Sequence, residues 1–413
     1  MGKASIIYVL GLSFIVSYGL LNINAAGTDA VDNFAVYYGR TMAHEIAGSG
    51  ANIACADVFR DPAYNTPYDN IDFRGGMMNV RFVELGNRKR VISIGSIVVG
   101  HRVESDTVVV ELRNSSLARY AWFTNFEANK GGQVTSWSTG DTAFGPIHTN
   151  DKFNINGSPV FMKKATAWQS AVPAKNTALW AGAYQWGIKV PYPANLDPFV
   201  NAASDPSNGR AITGADAFLE FNTAGTVTLE VPSQGIDTTF GSAKLLTQNG
   251  AFAVKGANLY VKGTMTGDLA IGAVAQAGLG GNVYITGDIR YKDNPRVNPS
   301  SKDRLVIYSE NDIVVTYDDS HAADYSNRMV DASVFTLKGA FEVQDAKSYA
   351  PRGTLSVFGA MMQYYRGEIG KVVGNSLRAG YSKNFRYDER LANDPPLYYP
   401  SAGRYTLFAW REN

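Results

Sequence analysis

The residues whose types best suit catalysis are carboxylates near position 315. The stretch "NDIVVTYDDS" contains Asp312, Asp318 and Asp319, and His321 and Asp331 follow shortly after it. Polysaccharide-cleaving enzymes use carboxylates grouped on one face, one as the acid and one as the base or nucleophile. A solvated acidic turn, or one that binds Ca²⁺ weakly, has the same composition. Of these two interpretations we expect the acidic turn, and we therefore expect that the protein is not an enzyme.

Other catalytic and metal-binding chemistry has little support in the sequence. The histidines at positions 44, 101, 148 and 321 lack metal-ligand spacing, and Cys55 is the single cysteine, lying among alanines. No Gly-x-Ser-x-Gly elbow, phosphate-binding loop or dinucleotide motif is present. The 38 Lys and Arg residues against 37 acidic residues provide no net field for nucleic acid. We expect no cofactor, no metal and no nucleic-acid partner.

The N-terminus contains a long uncharged run. No charged residue lies between Lys3 and Asp29. About 20 residues of helix cross a hydrocarbon core roughly 30 Å thick. The run therefore predicts a membrane helix that the protein retains. The alternative is a secretory signal cleaved after Ala25.

A helical pattern continues beyond this run as far as about Val58. Apolar and small residues recur at steps near 3.6 and form one stripe. Small residues allow helices to approach closely, so the stripe predicts packing against other helices. The helix-packing candidates are Val31, Phe34, Tyr38, Met42, Ile46, Ala47, Gly50, Ala51, Ile53 and Ala54.

The segment "AHEIAGSGANIACA", preceded by an apolar run and followed by strands, resembles the N-terminal region of type IV pilin-like proteins. The likeness is to the minor-pilin group called PilX-like, and it includes the strands of "VISIGSIVVGHRVESDTVVVELR", residues 91–113. The resemblance implies a filament subunit that is stored in the inner membrane and then displayed on the cell surface. It also implies that the partners are copies of the chain or other pilin-like subunits, bound through the helix.

The rest of the chain predicts a mainly β protein. Pro62 and Pro67 end the helix, and residues 77–113 alternate as an antiparallel meander. Short strands that begin at Asn258, Asn282 and Asn311 repeat every 24 to 29 residues, which is typical of β-solenoid coils. An irregular β-sandwich remains the alternative. The predicted parts are a membrane or filament-core segment at 1–28, a stalk helix and linker at 29–70, a pilin-like β unit at 71–116, a solenoid at 117–345 with an insertion at 173–210, and a solenoid end with an aromatic cap at 346–413.

Two further features suggest surface roles. The aromatic residues of the insertion, Trp180, Tyr184, Trp186 and Tyr192, are candidates for ligand contact, for example with a surface polysaccharide. From about Thr142 to the C-terminus the chain resembles a bacterial cell-surface domain of unassigned function, through its Gly-Tyr-x-Lys, Tyr-Asp-x-Arg and Pro-Pro motifs at residues 380–396. The predicted function is a pilin-like subunit that displays a β-solenoid head. The alternative is a membrane-anchored or secreted β-helix protein that binds or cleaves polysaccharide.

Overall fold

A computed structural model describes residues 2–85, 88–316, 327–348, 350–373 and 376–412. The chain divides into two compact units, one of Met1–Ser115 with Gly403–Asn413, the other of Ser116–Ala402. The prediction of a mainly β chain with one long N-terminal helix is confirmed. The helices are α1 (Gly2–Arg60), α2 (Asp197–Ala203) and α3 (Ala243–Leu246), with 3-10 turns at Leu117–Arg119, Pro232–Gln234 and Glu389–Ala392.

The strands are numbered in chain order. The first thirteen are β1 (Tyr68–Phe73), β2 (Gly76–Leu85), β3 (Arg88–Val99), β4 (Arg102–Ser116), β5 (Trp122–Phe126), β6 (Trp137–Ser138), β7 (Thr142–Ala143), β8 (Ile147–Thr149), β9 (Ile155–Asn156), β10 (Val160–Phe161), β11 (Ala165–Ala167), β12 (Leu179–Trp180) and β13 (Tyr184–Trp186). The rest are β14 (Arg210–Thr213), β15 (Ala217–Phe221), β16 (Val227–Val231), β17 (Ile236–Phe240), β18 (Ala251–Lys255), β19 (Leu259–Met265), β20 (Asp268–Val274), β21 (Val283–Tyr291), β22 (Arg304–Ser309), β23 (Ile313–Val315), β24 (Asn327–Asp331), β25 (Ser333–Thr336), β26 (Phe341–Val343), β27 (Pro351–Phe358), β28 (Met361–Tyr365), β29 (Gly370–Val373), β30 (Ser376–Arg386) and β31 (Ser401–Glu412).

The first unit is a five-stranded sheet covered by the C-terminal part of α1. The strand order is β1-β2-β3-β4-β31, and β1 to β4 form an antiparallel meander. Alternate residues of β3 point to opposite faces, so Val91, Ser93, Gly95 and Ile97 are buried while their neighbours are partly exposed. The helix ends where Pro62 prevents its continuation.

The second unit is dominated by two large sheets between which the chain alternates. One has ten parallel strands in the order β13-β11-β8-β5-β28-β25-β22-β20-β18-β14. The other has eleven strands and runs from β17 to β29, with parallel pairs through its centre and antiparallel pairs at both ends. Apolar side chains from both sheets share one interior cluster that includes Ile271, Ile285 and Ile307.

The order of the ten-stranded sheet differs from the order along the chain. The strands from β5 to β13 extend outward from the middle of the sheet, and the chain then passes to the opposite edge at β14 and returns strand by strand to β28. The connecting segment covers the outer face of this sheet, where Val190, Leu196 and Phe199 pack against Tyr308 and Phe335. The return therefore joins β28 to β5 in the middle of the sheet.

Two predicted parts are corrected by this arrangement. Residues 173–210 are not an insertion. β12 pairs with β10 in a separate three-stranded sheet, β13 forms an edge of the ten-stranded sheet, and the segment after β13 covers the outer face of that sheet. Residues 346–413 do not form one cap. β29 and β30 lie at an edge of the eleven-stranded sheet, whereas β28 lies in the middle of the ten-stranded sheet and β31 lies beside β4 in the first unit. The pairings of β28 with β5 and of β31 with β4 join residues distant in sequence, and local patterns do not encode them.

Candidate assembly helix and ligand-contact residues

The N-terminal part of α1 exposes large apolar side chains along most of its length. Ser5–Arg60 is long and apolar enough to cross a membrane, and its most apolar 18-residue stretch is not buried. The stretch from Ser5 to Phe34 is about 45 Å long at 1.5 Å per residue. Two predicted packing residues, Val31 and Phe34, are 66% and 69% exposed. The other exposed large apolar side chains are Ile6, Ile7, Tyr8, Val9, Leu10, Leu12, Phe14, Ile15, Val16, Tyr18, Leu20, Leu21 and Ile23.

The small residues of the predicted stripe are placed differently. Ile46, Ala47, Ala51 and Ala54 are fully buried in a cluster with Met78, Val80 and Val91 of the chain's own sheet. A side chain on Gly50 would collide with Met78, whose Sδ would lie 2.7 Å from the added carbon. The expectation that these residues pack against other helices is therefore corrected. Small residues bring a helix close to a sheet as well as to another helix.

Three predicted packing residues lie between these extremes. Tyr38 is 47% exposed, Ile53 is 41% exposed and Met42 is partly buried. Tyr38 and Ile53 therefore retain apolar surface for a partner. Both lie in or next to the part of α1 that packs on the sheet.

Polar contacts fix the C-terminal part of α1 on the sheet. His44 Nδ1 lies 2.8 Å from Asp106 Oδ2, and Arg40 Nε lies 3.4 Å from Glu104 Oε2. The Tyr68 hydroxyl donates to the Asp57 carboxylate, and burial followed by this hydrogen bond raises the pKa of Tyr68. These pairs, together with the apolar cluster, hold the helix at a fixed position on this unit.

Lys89 is a structural residue that sequence reasoning missed. Its side chain is 1% exposed, and its ammonium donates to the carbonyl oxygens of Pro62 at 3.1 Å and Tyr64 at 2.6 Å. It also lies 2.9 Å from Glu84 Oε1. Lys89 thereby ties the linker after α1 to the sheet. The only signal in the sequence is a lysine at an inward position of a strand.

The four aromatic ligand candidates do not form one exposed surface. Trp180 stacks between Phe161 and Tyr184, with ring centroids 4.3 and 4.4 Å away, and both Trp180 and Tyr184 pack against the interior cluster. Tyr192 lies over the outer face of the ten-stranded sheet and donates to the Thr336 carbonyl at 2.5 Å. Trp186 is 62% exposed and is free to contact a ligand.

The acidic residues that could serve catalysis do not converge where the structure describes them. Asp331 is 1% exposed and lies 2.8 Å from Arg296 Nη2, although burial raises its pKa. Asp312 accepts from Lys130 and from the Ala340 amide. Asp318, Asp319 and His321 lie outside the described residues.

His148 is buried beside β5 and β11. Its Nδ1 lies 2.8 Å from Thr166 Oγ1 and its Nε2 lies 3.0 Å from Asn150 Oδ1. Burial lowers the pKa of His148 to about 4, and the hydrogen bond with Asn150 opposes this shift only in part. Within the described residues, no group of three or more His, Cys, Asp or Glu side chains could hold a metal ion.

Comparisons with known proteins match a family model and solved structures. Residues 86–169, which are 84 of the chain's 413 residues, match a family described as a domain of unknown function (DUF4900). We expected a family of unassigned function from Thr142 onward; the match overlaps that range only at 142–169, and the motifs at 380–396 lie outside it. No curated protein matches the sequence.

A competence pilin is among the solved structures that match. The crystal structure of the competence-associated pilin ComZ from Thermus thermophilus is similar over 92% of this chain and 97% of that chain, with 11% identity and a TM-score of 0.41. A likeness at this level carries no functional argument, so function has to be inferred from the geometry of this chain.

Proposed function

We propose that this protein is a pilin-like structural subunit of a bacterial cell-surface filament or secretion-type assembly. The observation that carries the proposal is the division of α1 into a part packed on its own sheet and a part that exposes apolar side chains from Ile6 to Phe34. Burying one such side chain is worth about 1.5–3 kcal/mol. The exposed part therefore requires an apolar environment that the described residues of this chain do not supply.

Two environments meet this requirement in turn. The inner membrane accommodates about 20 apolar helical residues before assembly. In the assembled state, the same side chains pack against the helices of copies of the chain or of other pilin-like subunits. Packing between helices is favoured because an isolated helix depends on tertiary contacts for most of its stability.

We also propose that the second unit is a β-solenoid displayed as the outward head. Parallel in-register pairing along both sheets supports this arrangement, because each coil then contacts its neighbours. An asparagine ladder adds to it. Asn258 Oδ1 accepts from the backbone N–H of Asn282 at 3.2 Å, and Asn282 Oδ1 accepts from the backbone N–H of Asp312 at 3.1 Å.

A non-enzymatic role is part of the same proposal, and it is supported by the pairing of Asp312 and Asp331 with cations. A polysaccharide-binding β-helix is the second candidate. It is favoured by the exposed Trp186 and by Trp168, which is 44% exposed and has the Lys189 ammonium 5.9 Å from its ring. Loss of cell-wall glycan binding in Trp186→Ala, with Trp180→Phe as the folded control, would support that candidate.

The structural role is tested by placing a charge in the exposed run. Ile15→Lys puts a cation near the centre of the proposed span, where it costs about 2.5–3.5 kcal/mol. Asn33→Lys places the same charge on the same helix beyond the uncharged run. We expect Ile15→Lys to lose envelope retention and surface fibres while Asn33→Lys keeps both. Equal behaviour of the two variants would reject the proposal.

A further inference from the structure

We propose that the turn between β3 and β4, together with the facing turn of α1, binds the headgroup of a zwitterionic phospholipid that carries a primary ammonium. The inference rests on the proposed storage of α1 in a membrane and adds a specific lipid contact to it. The site is a groove of about 410 Å³ in the first unit. Its lining residues are Asp32, Ala35, Val36, Val99, Gly100, His101, Arg102 and Glu104.

The Asp32 end of the groove lies at the depth where a headgroup would be found. Asp32 lies four residues after Thr28, the last residue of the uncharged run. That separation is about 6 Å along the helix axis, and the polar zone on each side of the hydrocarbon core is roughly 5–8 Å thick. The hairpin packs on α1 beyond this height, because Val99 Cγ2 would lie 3.1 Å from a carbon added to Gly39, about 16 Å past Thr28 along the helix axis. From there the groove extends back along α1 to Asp32.

The charges in the groove complement a zwitterion. Arg102 and His101 are exposed N–H donors suited to a phosphate, and Asp32 is an acceptor suited to an ammonium. Within the described part of the chain, none of these three side chains makes a hydrogen bond or ion pair. Glu104 already faces Arg40. A purely anionic headgroup would meet two carboxylates here, so a headgroup with both charges fits better.

Apolar residues flank the turn in the way that interfacial segments require. Val98 and Val103 are opposite one another on β3 and β4, and they are 68% and 67% exposed. Tyr37 and Tyr38 are exposed on the facing part of α1. Aromatic side chains and cations at the edge of a spanning segment are typical of the membrane interface. Val98 and Val103 lie on the face of the hairpin turned away from α1, so exposed apolar side chains of the hairpin and of α1 stand on two sides of the groove.

The test places a fluorescent label on Val98→Cys or Val103→Cys in the full-length protein, held as single copies in nanodiscs. The nanodiscs contain phosphatidylethanolamine and phosphatidylglycerol, with a fraction of headgroup-nitroxide lipid as quencher. The control is Val83→Cys, which is 38% exposed and pairs with Arg90, about 27 Å along β3 from Val98. The unsubstituted chain, treated with the same label, gives the background labelling of the buried Cys55.

We expect strong quenching at positions 98 and 103 and little at 83. Arg102→Glu should lower headgroup occupancy at least about tenfold, because a hydrogen bond to a charged group such as the phosphate is worth about 1.5–3 kcal/mol. Replacing phosphatidylethanolamine by phosphatidylcholine should also weaken quenching, because a quaternary ammonium cannot donate to Asp32. Equal quenching at 98 and 83, or none lost in Arg102→Glu, would overturn the headgroup site.

Two further outcomes separate this inference from the proposed function. Failure of the unsubstituted protein to float with vesicles would reject membrane storage itself. Flotation with a label signal that changes only when two copies share a vesicle would assign the groove to a second subunit and overturn the lipid proposal.

Discussion

Gly95 of β3 lies directly beneath Ala47 of α1, so closely that a carbon added to Gly95 would lie 2.5 Å from the Ala47 backbone nitrogen. The helix and the sheet therefore meet backbone to backbone at this point. The small residues of the stripe serve this contact inside the chain, while the large exposed residues before Tyr38 remain for partners.

The first prediction concerns this contact. Gly95→Ala should lower the free energy of unfolding of the first unit by about 1–3 kcal/mol, because the added methyl overpacks the contact. Gly48→Ala is the matched control, since nothing lies within 4 Å of its added carbon. Alanine in a helix interior is favoured over glycine by about 1 kcal/mol, so this control should be stabilised. Denaturant unfolding in detergent measures both, and destabilisation by both variants alike would contradict the packing described.

The second prediction concerns the buried pair of Arg366 and Glu127. Their side chains are 1% and 0% exposed, and they join parts of the chain 239 residues apart. Arg366→Met should cost about 3–5 kcal/mol, because it leaves a buried carboxylate without its cation. Glu127→Leu combined with Arg366→Met should recover part of that loss.

The control for this pair is Lys338→Met. Lys338 lies 2.6 Å from Glu310, and its side chain is 63% exposed. Exposed pairs are worth about 0.2–1 kcal/mol. Urea unfolding of the second unit should therefore separate the two substitutions clearly. Equal losses from Arg366→Met and Lys338→Met would show that the buried pair does not hold β5 and β28 together.

The third prediction concerns pH. The folded-state pKa of His148 is about 4, below the usual 6.5, because burial disfavours the charged ring. Between pH 6.5 and pH 4 the unfolded chain binds a proton that the folded chain does not, so stability falls as pH falls. The full loss approaches about 3 kcal/mol below pH 4.

Glu342 acts in the opposite direction and must be separated from His148. Burial, followed by repulsion from Asp312, raises the pKa of Glu342 to about 7. The folding stability contributed by its neutral carboxyl is therefore lost as pH rises through about 7. The informative quantity is therefore the difference between His148→Gln and the unsubstituted chain. His148→Gln should reduce the stability loss between pH 6.5 and pH 4, and the exposed-site control His101→Gln should not. An unchanged slope in His148→Gln would contradict a buried neutral imidazole.

The sequence was sufficient for the features that local patterns encode. The uncharged run and the 3.6-residue stripe predicted α1 to about Val58, and the structure ends it at Arg60. The spacing of Asn258 and Asn282 indicated strands stacked side by side, and their side chains do bond to one another. The two large sheets bear out the predicted large β region. The DUF4900 match, at residues 86–169, assigns no activity to it.

Features that depend on distant pairing could not be read from the sequence. The passage of the chain from β13 to the opposite edge at β14 has no local signal, nor does the return of β31 to the first sheet. A stripe containing Ala47 and Ala51 suits a helix partner and a sheet partner equally. Trp180 and Trp186 are alike in type, yet only their positions in the stack decide that one is packed and the other exposed.

Photo-crosslinking from Phe14 tests the central claim most directly. A photoreactive phenylalanine analogue replaces this residue, which is 80% exposed, in cells that produce the full-length protein. We predict crosslinks to phospholipid in the inner-membrane fraction and to the N-terminal helix of another subunit in the surface-fibre fraction. A mature protein that begins at Ala26, and is recovered as a soluble monomer without residue 14, would contradict the proposed role of the helix.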